Sequence, residues 1–103
     1  MMDDLHYTDF VAHLNGRFNL TAGNGAAFEL ELLEVTENSP SPRQEQFALV
    51  FRAPLTAPSE QGIYQLTHAE LGSGALFLVP LRRDAAGLYY EAIFNRSIEE
   101  ARG

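Results

Sequence analysis

Residues 28–35, Phe28-Glu29-Leu30-Glu31-Leu32-Leu33-Glu34-Val35, decide how the chain is read. Phe28, Leu30 and Leu32 alternate with Glu29 and Glu31, the period-two pattern of a strand with one wet face. The phase then slips, because Leu33 and Val35 are apolar and Glu34 is not. One inserted residue near Leu32-Leu33 does this, and a β-bulge is the usual device. Glu29 and Glu31 share a strand face and could serve as a carboxylate pair, but the plain alternation makes them a solvated face.

Outward from this strand the pattern repeats in both directions. Phe18 and Leu20 alternate with Asn19 and Thr21, and Ala22-Gly23-Asn24-Gly25 reads as a turn that tolerates positive φ. Before it, Tyr7, Phe10, Val11 and Leu14 fall at i, i+3, i+4 and i+7, which predicts a short helix over about residues 8–15. Thr8 is the expected N-cap and Asn15-Gly16 the stop. So short a helix must dock its aromatic face on something.

Towards the C-terminus, Glu37 to Glu45 is a proline- and serine-rich loop, Phe47 to Phe51 a strand, and Pro54 to Glu60 a second loop. Ile63 to His68 forms the next strand, and Ala69 to Gly74 turns the chain. Ala75 to Val79 is a strand that Pro80 is expected to close. Asp84 to Gly87 is a hairpin loop, and Leu88 to Phe94 the last strand. The connections are short, so neighbouring strands run antiparallel. The fold class is therefore mainly β: a small antiparallel β-barrel or roll of about six strands with one short N-terminal helix. Residues 1–103 form a single domain, with 1–6 and 97–103 as tails.

Length agrees. A chain of 103 residues and 11.4 kDa buries roughly 65% of its unfolded surface, enough for one core. There is no cysteine, which excludes disulfides, thiolate metal sites and cysteine nucleophiles. Fourteen acids stand against seven basic residues, all arginine, for a net charge of −7. Such a chain repels phosphate backbones, so neither nucleic acid nor an anionic membrane surface is an expected partner. No apolar run approaches the ~20 residues of a bilayer span, and residues 1–6 lack the basic and apolar regions of a leader. The expected location is the cytoplasm.

Candidate chemistry is sparse. Tyr64, His68 and Glu70 form the best polar cluster: Tyr64 and His68 share one side of a strand, and a carboxylate could orient the imidazole for acid–base work. A histidine at a strand end more often satisfies turn backbone. His6, His13 and His68 are too scattered in sequence for a metal centre, so neither metal, cofactor nor catalytic residue is expected. Gly72-Ser73-Gly74 has turn composition and is no nucleophile elbow. The aromatic residues Phe47, Phe51, Phe77, Tyr89, Tyr90 and Phe94 either line a ligand cavity or fill the barrel.

The apolar runs carry the stronger functional signal. Phe47–Phe51, Ala75–Val79 and Leu88–Phe94 are apolar on both faces or nearly so, whereas an antiparallel sheet with one wet face should alternate. A helix of about 12 Å covers only part of one face. The surplus predicts self-association or a protein partner docked on a sheet face, with Val50, Tyr89 and Ile93 as the candidate contact.

The segments Gln61-Gly62-Ile63-Tyr64-Gln65-Leu66-Thr67-His68-Ala69-Glu70-Leu71-Gly72, Leu76-Phe77-Leu78-Val79-Pro80 and Tyr90-Glu91-Ala92-Ile93-Phe94-Asn95 resemble a family of small bacterial proteins of unknown function. The likeness spans nearly the whole chain. Ala69 departs from it, since the family tends to have proline after the histidine. The resemblance implies the same fold and a companion role beside phage-tail-collar-like proteins, near which such proteins are often encoded; it carries over no catalytic residue. The first functional reading is thus a non-enzymatic structural or assembly domain, an accessory of a tail-like particle. The second is a small-molecule-binding barrel, and the third an enzyme using His68, Glu70 and Asn95.

Overall fold

The structure, a computed structural model, describes residues 5–39 and 41–97. It contains α1 (Tyr7–Val11), β1 (Arg17–Thr21), β2 (Ala27–Glu37), β3 (Gln44–Ala53), β4 (Gly62–His68), β5 (Gly72–Asp84) and β6 (Gly87–Ser97). The six strands close into an antiparallel barrel in the order β1-β2-β3-β6-β5-β4. The fold is the one expected from the alternation pattern.

Two long strands make the corners. β2 pairs with β1 from Ala27 to Glu31 and with β3 from Glu31 onward, with a register shift between Leu32 and Glu34. This is the bulge expected at the phase slip. β5 pairs with β4 from Gly72 to Leu78 and with β6 from Val79 to Asp84, with a second shift between Pro80 and Arg82. Strands that change sheets at bulges are how two crossed sheets join at a corner. Pro80 therefore does not end its strand. Its missing N–H falls beside the bulge, where the ladder is already interrupted, and β5 runs on to Asp84.

Inward-facing side chains fill the barrel. Phe18, Leu20, Leu30, Leu32, Leu49 and Phe51 are fully buried, and Leu66, Leu78 and Tyr90 complete the centre. The Phe18 and Phe51 rings meet edge-on with centroids 5.2 Å apart. At the Tyr90 end, the loop after β3 folds over the opening: Ala57 is buried, and the Tyr90 hydroxyl donates to the Pro58 carbonyl. Burial and the neighbouring Tyr64 push the Tyr90 phenol up to about 12.

The other end is closed by α1. Only Phe10 of the expected four-residue helical face is fully buried, with its ring 5.8 Å from Phe47 and 5.6 Å from Phe94. Val11 and Leu14 are exposed. The helix stops at Val11 because the chain must turn into β1. Asn15 adopts φ 69°, its N–H donates to the Leu32 carbonyl, and the Leu32 N–H donates to Gly16. The N-cap is His6, two residues earlier than Thr8. Its N–H donates to the Asp9 carboxylate at 2.8 Å.

The expected loose tail over residues 1–6 is corrected at its inner end. His6 Nδ1 lies 2.9 Å from Glu45 Oε1, the Tyr7 N–H donates to Glu45 Oε2, and Leu5 packs against the core. Residues 1–4 lie outside the described residues. So does most of the expected C-terminal tail, although Ser97 itself belongs to β6. Among the described residues, no helix is long and apolar enough to cross a membrane.

Candidate functional site

The polar cluster expected from sequence does not assemble. Tyr64 sits four residues from His68 on β4, where its hydroxyl donates to the Glu60 carbonyl and its ring lies 6.2 Å from Tyr90. Burial and the Glu60 carboxylate raise its pKa. His68 ends β4, and the Glu70 and Leu71 N–H groups donate to its Nδ1 at 2.9 and 3.2 Å. Those donors assign the proton to Nε2. The ring lies between Phe18 and His13, at centroid distances of 4.7 and 4.5 Å. The Glu70 carboxylate turns to His13 Nε2 at 3.5 Å and not to His68. Asn95 accepts a hydrogen bond from Gln44 on the outside of the barrel. The imidazole thus holds the β4–β5 turn together, with its free lone pair already used by two amides.

That arrangement makes stability depend on pH. Burial, and next His13, lower the His68 pKa below its ordinary 6.5, against the opposing pull of Glu70. The unfolded chain takes up this proton more readily than the folded one. The contribution of neutral His68 is intact above pH 6.5 and is lost as pH falls through the lowered folded value. Urea midpoints should therefore fall between pH 7.5 and 5.5, and fall less in His68→Gln. Equal slopes in the two proteins would overturn this role.

The expected contact residues separate. Ile93 is 64% exposed on the outer face of β6. Val50 is half-buried on the outer face of β3, between Glu34 and Glu91 in the ladders. Tyr89 is corrected: it points outward but is only 6% exposed. The Arg82 guanidinium lies 4.0 Å above its ring, and its hydroxyl donates to Asp84. Asp84 also accepts from the Ala86 and Gly87 N–H groups, and the Ala86 bond in particular holds its pKa below the usual carboxylate value. Tyr89 belongs to the hairpin that closes β5 on β6.

Two residues replace it. Ile63 is 72% exposed and Phe77 51%, and they are ladder partners on the outside of β4 and β5. Extending the Val79–Glu91 register by two residues sets Phe77 level with Ile93, whose other neighbour is Ala48. The outer apolar side chains thus fall in two paired stretches, Ile63–Phe77 across β4 and β5 and Ile93–Ala48 across β6 and β3, on either side of the place where the β5–β6 ladder ends. Beside them lie Gln65, Ala75, Asn95 and Gln46, also outward and uncharged. Among the described residues this wall carries no charge until Glu91 and Glu34. The alternation in residues 62–68 marks Ile63 as one of a face, but only the ladder shows that its partner is Phe77.

The opposite wall is charged. Arg17 pairs with Glu29 at 3.2 Å and Arg52 with Glu31. These residues, with Pro54 and Ala86, line an open cleft of about 270 Å³ where β2 parts from the end of β3. Each guanidinium already faces a carboxylate, so the cleft presents a satisfied ion-pair ladder. Among the described residues, no three histidine or carboxylate side chains converge as a metal site would need.

No curated protein and no solved structure matches the chain. A family model, described as a domain of unknown function (DUF6916), matches residues 5–94. That stretch runs from the start of the capping helix to Phe94 in the last strand, and the chain belongs to this family of domains of unknown function.

Proposed function

We propose that this chain is a non-enzymatic structural or assembly domain that docks on protein through the outer wall of β4, β5, β6 and β3. The observation that carries the reading is the group of Ile63, Phe77 and Ile93, three large apolar side chains each more than half exposed on neighbouring strands. Such residues, flanked by neutral polar ones and depleted of charge, have the composition of an interface centre. The barrel interior is occupied by the protein's own side chains, which disfavours the small-molecule reading. His68, Glu70 and Asn95 point to separate duties, which disfavours the enzymatic one. In its finer form the partner is a tail-collar-like protein, as the sequence resemblance implies, and the setting is cytoplasmic.

The test is capture by immobilised protein from the native bacterium, comparing wild type with Phe77→Asp and scoring tail-collar-like proteins. Because Phe77 is exposed, the substitution leaves the core intact. It should weaken capture by about tenfold or more. Equal capture by both proteins would refute docking through this wall.

A further inference from the structure

The apolar wall is split by a free strand edge. From Gly72 to Leu78, β5 is paired on one side with β4. Its ladder to β6 begins only at Val79. Across the same gap, β6 beyond Glu91 is paired only with β3. Among the described residues, no turn or loop backbone hydrogen bond reaches Ser73 to Phe77. An antiparallel strand bonded on one side leaves every second residue's N–H and C=O directed outward. Natural edges are usually blunted by charge, proline or a bulge. Gly72-Ser73-Gly74-Ala75-Leu76-Phe77-Leu78 has none of these, and the bulge and Pro80 come only after the switch to β6.

We infer that this edge pairs, by strand addition, with the β5 edge of a second copy of the chain about a two-fold axis. The inference rests on the docking reading above and names its partner. Three features favour a second copy. An antiparallel pair of identical strands is self-complementary, as a two-fold interface requires. Centred on Ala75, it sets Phe77 of one copy opposite Ser73 of the other, a large side chain beside small ones. And a copy of a chain at −7 approaches with least repulsion where neither wall carries charge. The pairing joins two barrels through main-chain bonds and covers part of the Ile63–Phe77 stretch.

Sedimentation equilibrium across a concentration series, with amide hydrogen exchange at its two ends, tests this. The expected result is a monomer–dimer equilibrium in which amides within residues 73–77 gain protection as the dimer forms. Ala75→Lys, an exposed substitution that places a like charge on each strand, should weaken the dimer by about tenfold. Ile93→Asp, on the same wall but off the edge, should weaken it less. A monomer at every concentration would overturn the inference, as would a dimer whose formation leaves exchange in 73–77 unchanged. Protection of 73–77 only when a captured tail-collar-like protein is added would also overturn it, while leaving the docking function standing. Loss of capture in Phe77→Asp without any dimer separates the two in the same way.

Discussion

Phe10→Ala should lower the unfolding free energy by about 3–5 kcal/mol, the usual range for emptying a buried phenylalanine site. In a domain of this size that reads as a fall in Tm of about 12 °C or more. Phe10 is the one fully buried side chain of α1, and its ring meets both Phe47 and Phe94, which stack on each other at 4.5 Å. A helix of five residues cannot persist alone, so the barrel end depends on this anchor. Val11→Ala supplies the comparison. Val11 is exposed, so its truncation should stay within about 0.5 kcal/mol. Equal losses in thermal denaturation of the two variants would show that α1 does not hold the barrel closed.

Gly87→Ala should be nearly as damaging. A Cβ at Gly87 would lie well inside 3.0 Å of the Ala53 carbonyl oxygen and 2.9 Å from Arg52 Cγ. The carbonyl is held in the β3–β6 ladder, where Ala53 pairs with Leu88, and cannot swing aside. Overpacking of this kind costs about 1–3 kcal/mol or more. Here it also pries the β5–β6 hairpin from the end of β3, beside the Arg52–Glu31 pair. Gly25→Ala separates this clash from backbone preference. Gly25 has φ 90° with nothing within 4 Å of an added Cβ, so it should cost only the conformational penalty of about 1–2 kcal/mol. If Gly87→Ala matches Gly25→Ala in urea denaturation, the close approach of Gly87 to β3 is not a constraint.

The protein's function as proposed depends on a contrast between two walls. On the β1–β2 side Arg17 pairs with Glu29, and Glu31 of β2 pairs with Arg52 at the end of β3. The β4–β5–β6–β3 wall has no charges to cancel around Phe77. A closed barrel ordinarily removes its edges. This one keeps an edge because β5 changes partner at a single point, between Leu78 and Val79, with no residue paired to both neighbours.

The period-two alternation of residues 28–32 and 62–68, the phase slip at Leu32-Leu33 and the glycine-rich turns determined by themselves the strand count, the bulge in β2 and the antiparallel class. These are local signals: side chains alternate across any strand, and a turn is written in the few residues that make it. The surplus of apolar residues in Ala75–Val79 and Leu88–Phe94 likewise told that some outer face carries large apolar side chains. Which face that is belonged to tertiary structure alone. Tyr89 and Ile93 are equivalent in the alternation, yet Arg82 and Asp84 reach Tyr89 across the hairpin and cover it, while nothing described covers Ile93. Pro80 reads as a strand end, but a bulge absorbs its missing donor and lets β5 turn the corner. Glu70 sits two residues from His68, and the turn sends its carboxylate to His13 instead. In each case the deciding neighbour is distant in sequence or set by a turn's three-dimensional path, and period and spacing carry no record of it.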